Sequence, residues 1–493
     1  VAHPYASHLY ECPNYDYHMS NQSTIALSAG SITGIQNHDG SLEFLGIRFA
    51  TADRFQAPVD IDTWSGTYDA TKFGSISSQV PGMLETMLGF NPSDTNEDCL
   101  FLNVFASEAP SANAKKPVLV WIHGGAYTNG SGSTAWYHGG SLASQGSIVV
   151  SINYRLGALG FLGDGNYGTL DMVSALRWVN KNIEAFGGDP NNVTIFGESA
   201  GGSAVISLMA CPSAQGLFHR VWAMSPSIGQ LREHARSQEL ATQFFEIAGV
   251  TSIEELRAIP LEKILEFQTA QLATANTGFD FYAPTGGGIG IEPNILEVAS
   301  NSPVQFVVGT NRDENKLWTA FDPRLADADS VMWEKTSSET FGERASEARK
   351  VYEQLRPNES HKDLISAVST DTGFRQRAIS FAEQRVLAQQ PTWMYWFTWQ
   401  TPAMGGILGC CHALDIPFAF NNLNAPGAEM FLGDGDERQP IADRFSAEIT
   451  QFAHHGHPSW AQYDTETRAT LRIDSRTELI LDPEPEIRSL FSL

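Results

Sequence analysis

Residues 117–122 (PVLVWI) and 147–152 (SIVVSI) are nearly continuous apolar runs. Residues 193–196 (VTIF), 304–308 (VQFVV) and 392–398 (TWMYWFT) follow the same style. A strand covered on both faces loses the alternation of a half-exposed one, so these runs predict buried, largely parallel strands. Between them the spacing turns helical. Met172, Leu176, Val179 and Ile183 mark one face of a helix that Gly187-Gly188 and Pro190 end. Near the C-terminus, Pro440 opens a helix whose Ile441, Phe445, Ile449 and Phe452 share a stripe. Residues 22–46 read differently: short alternating runs broken by Gly30, Gly34, Asp39-Gly40 and Gly46 predict small antiparallel strands. The pattern as a whole is α/β, a large, mostly parallel central sheet flanked by helices with a small N-terminal antiparallel sheet. Residues 1–21 (polar and aromatic, without period) read as an extension. Residues 22–493 read as a single domain with helical insertions around 228–300 and 318–390.

Composition narrows the class. Hydrophobic residues make up 42% and charged residues 18%, which suits a large folded core. No stretch of about 18 uninterrupted apolar residues occurs, so no membrane span is expected. A net charge of −25 without a basic block repels phosphate backbones and argues against nucleic acid as a partner. The five cysteines (Cys12, Cys99, Cys211, Cys410 and Cys411) are too sparse and uneven for a disulfide framework. The expectation is a soluble protein, with the cytoplasm favoured and a secreted chain after signal removal the alternative. Oligomeric state is not legible.

The chemistry is carried by VTIFGESAGG at 193–202. A buried strand runs into Gly197-Glu198-Ser199-Ala200-Gly201 and then into the helix-like SAVISLMA. Small residues at 197 and 201 permit a sharp strand-to-helix turn that lifts the Ser199 hydroxyl above the sheet edge, as a nucleophile requires. The five-residue pattern by itself arises roughly 0.3 times by chance in a chain of this composition, and the alternative is a tight turn with a solvated serine. The strand before it and the helix after it favour the nucleophile. Upstream, Trp121-Ile122-His123-Gly124-Gly125-Ala126 follows another buried strand. Acyl transfer places negative charge on a carbonyl oxygen, and backbone N–H groups must await it. Gly124 and Gly125 can present theirs unobstructed, and Ala200 supplies a third. His123 reads as a structural histidine of this loop.

Several segments, in order from residue 22 onward, resemble the type-B carboxylesterase family, which includes bacterial p-nitrobenzyl esterases and the cholinesterases. They include FLGIRFA (44–50), WSGTYDATKFG (64–74), EDCLFLNV (97–104), WIHGGAY (121–127), INYRLGALGFL (152–162), GNYGTLD (165–171), ALRWVNKNIEAFGGDPNNVTIFGESAGG (175–202) and GCCHALDIPFAF (409–420). The resemblance implies the α/β-hydrolase fold and a Ser-His-Glu triad. Its acid falls in Gly309-Thr310-Asn311-Arg312-Asp313-Glu314, where Glu314 is the match; residue reasoning alone leaves Asp313 open beside it. Its base is His412, ahead of Asp415, Pro417 and Phe418. The order Ser199, Glu314, His412 is that of α/β-hydrolases. The implied activity is hydrolysis of small to medium carboxylic esters through an acyl-enzyme, with no metal or other cofactor and a small-molecule ester as the partner. A lipase or a dedicated detoxifying esterase for a bulky ester is the alternative. The non-enzyme alternative is a cholinesterase-like binding protein, which usually lacks a triad residue. The resemblance also implies two structural ion pairs, Arg54 with Glu97 and Arg155 with Asp171.

Some positions depart from the family. Thr169 and Met172 stand where Leu and Gln are usual, and Ala50–Arg54 is a shorter run than usual. Ser225-Pro226 stands where Ser-Gly is usual, which stiffens that loop. Ser78 stands near where many relatives place a cysteine, leaving Cys99 without that partner. Adjacent Cys410 and Cys411 read as two thiols, and Cys411, abutting His412, suggests inhibition by thiol reagents. His454, His455 and His457 read as a solvated turn, not a metal site. Gly286–Gly290 reads as a flexible loop near the substrate pocket, and residues 83–90 (MLETMLGF) as either a lid or ordinary core.

Overall fold

The computed structural model describes residues 21–87, 94–111, 114–274 and 281–491. Thirteen strands form one sheet. In chain order they are β1 (Asn21–Leu27), β2 (Gly30–Gln36), β3 (Leu42–Arg48), β4 (Thr67–Asp69), β5 (Phe101–Ala106), β6 (Lys116–Ile122), β7 (Ile148–Ile152), β8 (Gly188–Glu198), β9 (Arg220–Met224), β10 (Gln305–Asn311), β11 (Thr392–Phe397), β12 (Thr470–Ile473) and β13 (Glu478–Ile480). Across the sheet they lie β1-β2-β3-β5-β7-β6-β8-β9-β10-β11-β12-β13, with β4 beside β2. Every pairing from β7 to β12 is parallel. Of the N-terminal strands, β1, β2, β3 and β5 pair antiparallel and β4 lies parallel to β2, and they join the central sheet through β3 and β5.

The apolar runs are strands because both their faces are covered. Along β6, Val118, Val120 and Ile122 enter one core cluster while Leu119 and Trp121 enter another. The first cluster is roofed by α1 (Tyr167–Asn182) and α2 (Ala200–Met209), the second by α5 (Arg438–His455). Met172, Leu176 and Val179 of α1 are fully buried, as is Ile183 in the 3-10 turn that follows. Gly187, at φ 87°, stops the chain there. Helix α5 begins at Arg438, two residues before the expected Pro440, and its apolar stripe is buried. Residues 228–300 contain helices His234–Ala248, Ile253–Arg257, Leu261–Leu272 and Ile295–Asn301. Residues 318–390 contain, among others, α3 (His361–Thr370) and α4 (Gln376–Leu387), joined by a π turn at Asp371–Arg375. No helix of the described residues is long and apolar enough to cross a membrane.

Parallel register aligns the strand ends that matter. Ile122 pairs with Gly197, Glu198 with Met224, and Met224 with Gly309. The loops leaving the C-terminal ends of β6, β8, β9 and β10 therefore open on one edge, where α/β sheets bind ligands.

Two ion pairs brace the same region from outside the sheet. Arg155, just after β7, meets Asp171 of α1 through Nε and Nη2 at 2.8 and 2.7 Å, and both side chains are buried. Arg155 also donates to the carbonyl of Gln56 at 2.7 Å. Arg54 and Glu97 likewise pair through two contacts, one of 2.8 Å, but remain partly exposed. Burial makes an unpaired charge costly, whereas solvent screens an exposed one. Asp171→Ala is expected to lower unfolding free energy by about 3–5 kcal/mol and Glu97→Ala by about 1 kcal/mol or less. Denaturant titration of the two variants against the parent measures both.

Candidate active site

Ser199 occupies the turn between β8 and α2 with φ 58° and ψ −120°, a left-handed conformation that L residues adopt only under constraint. Its N–H donates to the carbonyl of Met224 at 3.0 Å, and its own carbonyl accepts the N–H of Ser203 at 2.9 Å, opening α2. The packing leaves no slack. A Cβ on Gly201 would lie 2.0 Å from the carbonyl oxygen of Ile122, so α2 reaches β6 only with glycine there.

The loop after β6 turns back beside this elbow. Gly125 has φ 103°, and a Cβ there would meet the carbonyl oxygen of Asn129 at 2.2 Å. The N–H groups of Gly124 and Gly125 have no acceptor among the described residues. Ala200 is the first residue of α2, so its N–H lacks an intrahelical partner. Gly124, Gly125, Ser199 and His412 all line one cavity of about 1470 Å³. His123 lies outside that lining. It is buried, stacked on Tyr154 at 4.4 Å, with Nδ1 at 2.8 Å from the carbonyl of Gly124. Burial pushes it down to about 4, which keeps it neutral.

Tertiary structure separates the two acidic neighbours after β10. Glu314 is wholly buried, and its Oε2 lies 2.6 Å from His412 Nδ1. Its Oε1 accepts the Ser225 hydroxyl at 2.6 Å and the Asn311 N–H at 2.7 Å. Asp313 turns the other way, to Arg356 Nη1 at 3.1 Å and the N–H of Cys410 at 3.1 Å. Ser225, followed by Pro226, has φ 39°. That strained residue aims its hydroxyl at Glu314.

The site also holds residues that sequence reasoning passed over. Glu198, read only as the variable position of the elbow, is 3% exposed, and its Oε1 lies 3.1 Å from His412 Nε2. Neither of those two atoms has a well-formed hydrogen bond among the described residues. Asp415 is buried behind them, near Asn311 Nδ2 at 3.3 Å and the Tyr395 hydroxyl at 3.1 Å. Trp318 and Phe374 flank the His412 ring at 5.0 and 4.9 Å. A carboxylate at the end of a buried strand was the available signal for Glu198; no local pattern marks the two aromatics.

Electrostatics follow from that crowding. Burial alone would push His412 down, but the Glu198 charge and the Glu314 hydrogen bond override it and hold the imidazole above its ordinary value. Burial pushes Glu198 up, against the pull of His412. Asp415 is pushed up to about 7 by burial, with the Glu314 charge adding to it.

Two expectations fall differently. Cys411 is fully buried and its thiol is raised well above the ordinary value by burial, so reagents meet neither an accessible sulfur nor a thiolate. Gly286–Gly290 does not line the cavity. Asn166 pins that loop by donating to the carbonyl of Thr285 at 2.9 Å, and the Ile289 N–H donates to the carbonyl of Asp164 at 2.9 Å. Of residues 83–90, Met83–Met87 form a short helix with Leu84 and Glu85 on the cavity wall, and 88–90 lie outside the described residues. Cys99, Cys211, Cys410 and Cys411 are free thiols, and Cys12 lies outside the described residues. No cluster of metal-ligating side chains occurs among the described residues, His454, His455 and His457 included.

Comparison with known proteins matches residues 21–486 to the carboxylesterase family model. The chain is 35% identical to the para-nitrobenzyl esterase of Bacillus subtilis, over 88% of this chain and 91% of that protein. It is 31% identical to the phenmedipham hydrolase of Pseudarthrobacter oxydans, over 93% and 94% of the two chains. The solved structure of a carboxylesterase from Geobacillus stearothermophilus superposes with a TM-score of 0.83 at 30% identity, covering 95% of this chain and all of that one.

If the Glu198 charge lifts His412, then Glu198→Gln lowers the pH at which the imidazole loses its proton. An NMR titration of the His412 ring in parent and variant checks the direction, and an unchanged or raised midpoint contradicts it.

Proposed function

This chain belongs to the carboxylesterase family and is a carboxylic ester hydrolase, and on that premise we propose that it works through Ser199, His412 and Glu314 by way of an acyl-enzyme. The observation that carries the reading is the buried 2.6 Å contact between His412 Nδ1 and Glu314 Oε2. It favours the tautomer with the proton on Nδ1, which leaves Nε2, 3.1 Å from Glu198 Oε1, as the basic nitrogen.

Attack begins when His412 Nε2 takes the proton from Ser199 Oγ as the oxygen adds to the ester carbonyl. The oxyanion that forms is held by the N–H groups of Gly124, Gly125 and Ala200. Each such donor contributes on the order of 10²–10³ in rate in a dry, preorganised site. Glu314, which meets three donors, stabilises the imidazolium. His412 then protonates the leaving alcohol, and water, deprotonated by the same nitrogen, cleaves the acyl-enzyme. Each of these steps moves a proton through side chains alone, so the reading invokes no metal or organic cofactor.

The acid's partners also explain why Asp313 takes no part. Its carboxylate balances the buried guanidinium of Arg356, a structural duty. Cavity size bears on specificity. A volume of about 1470 Å³ exceeds the roughly 300–1,000 Å³ usual for small-molecule sites. That favours bulky esters as a second reading beside small to medium ones.

Ser199→Ala is expected to abolish p-nitrophenyl acetate hydrolysis by a factor of about 10⁴ or more. Equal rates in parent and variant would remove the proposal. Glu314→Gln should lower kcat by on the order of 10³–10⁴ with the fold retained. Asp313→Asn should act mainly on thermal stability. A reversal of that pattern between the two acids would assign the acid wrongly. A p-nitrophenyl ester series of increasing acyl length separates the size readings, since loss of activity at C6 and beyond excludes the bulky one.

A further inference from the structure

Acidic residues outnumber basic ones 56 to 31 in this chain, and most arginines are claimed by them. Arg54, Arg155, Arg177, Arg356 and Arg375 each hold a carboxylate. Arg377 does not. Its Nε donates to the carbonyl of Thr372 at 3.1 Å, and its two terminal nitrogens have no acceptor among the described residues. Yet it lines the same cavity as Ser199 and His412.

Its position is set from two sides. Arg377 lies in the first turn of α4, three residues after Phe374, so both face the same way. Phe374 is the residue that packs on the His412 ring. On the other side, the guanidinium lies across Gly229. A Cβ at Gly229 would sit 3.1 Å from both Cζ and Nε, and 3.4 Å from Nη1. Gly229 in turn follows Ser227 by two residues, and the Ser227 N–H donates to the carbonyl of Ser199 at 3.3 Å. Two residues span at most about 7 Å. The guanidinium is thus seated on a backbone shelf that continues directly from the nucleophile.

A planar guanidinium with its terminal donors unfilled matches a carboxylate bidentately. The same wall carries three carboxylates, Glu85, Asp94 and Glu198. Glu85 is pushed towards its neutral form by burial, and Glu198 faces His412. Arg236, also on the lining, pairs with Glu239. We infer that Arg377 is a specificity-determining residue that selects esters carrying a carboxylate remote from the scissile bond, such as half-esters of dicarboxylic acids. The inference rests on the reading of Ser199 and His412 as the reacting pair. The leaving alcohol is unconstrained by it; the carboxylate stays on the acyl part and leaves with the acid product.

The test compares mono-p-nitrophenyl adipate with p-nitrophenyl hexanoate, which share chain length and leaving group and differ in the terminal carboxylate. The readout is the ratio of kcat/KM for the two esters, after subtraction of spontaneous hydrolysis. Arg377→Gln should lower that ratio about tenfold, mainly through KM of the adipate ester. Arg377→Lys, which keeps the charge, should retain a ratio between those of parent and Gln variant. Gly229→Ala, which displaces the guanidinium from its shelf, should lower the ratio in the same direction. A ratio unchanged in Arg377→Gln overturns the inference and makes Arg377 a solvated rim residue. If the unmodified protein hydrolyses neither ester, the catalytic reading fails and takes this inference with it.

Discussion

The site depends on one crowded junction, where the turn from β8 into α2 is pressed against the end of β6. A helix that must bury its apolar face on a sheet cannot stand off from it. The carbonyl of Ile122 therefore sits where any side chain at position 201 would go. The chain reverses within a single residue, and that residue, Ser199, takes a left-handed backbone conformation. The same closeness brings the glycines after β6 beside Ser199 and leaves their N–H groups without acceptors among the described residues. Strain at Ser199 and vacancy at Gly124 and Gly125 are two results of one packing constraint. Core burial on both faces of the sheet holds them in place.

Around His412 the structure concentrates negative charge. Glu314, Glu198 and Asp415 are all buried within reach of one imidazole. Three ionised carboxylates could not coexist there without neutralisation, and burial shifts Glu198 and Asp415 towards their protonated forms. Glu314 meets three donors, the Ser225 hydroxyl and the Asn311 N–H on one oxygen and His412 on the other, whereas Asp415 meets two, Asn311 Nδ2 and the Tyr395 hydroxyl. Hydrogen bonding thus differentiates three chemically similar groups. One holds the imidazole, and the others are placed to answer changes in its charge.

The cavity wall is as mixed as the site is specific. Aromatic rings of Trp318 and Phe374 hold the imidazole from the side, while polar and charged residues reach the same space from α4 and the β9 loop. Part of this wall, including Trp318, Phe374 and Arg377, comes from the segment between β10 and β11, and much of the rest from the loops around residues 73–94 and 124–137. The sheet edge supplies Ser199, Glu314 and the glycines after β6, and loops and inserted helices together line the space around them.

How far the sequence reaches follows from range. The strands and helices were legible because burial on both faces leaves continuous apolar runs, and burial on one face leaves a stripe. Both are local patterns. Ser199 was legible for the same reason, since strand, turn and helix are contiguous. The choice between Asp313 and Glu314 was not. Adjacent residues point in different directions, and only the fold brings His412, 98 residues further on, to one and Arg356 to the other. Glu198 was hidden within the elbow pattern because its partner, His412, lies still further away in sequence. The Gly286–Gly290 loop looked free because the amide of Asn166 that ties it down lies far upstream. Sequence by itself determined which segments are buried and where the strand turns into the helix at Ser199. Tertiary structure alone decided which carboxylate meets the imidazole and which arginine meets the cavity, because those contacts join residues that only chain folding makes neighbours.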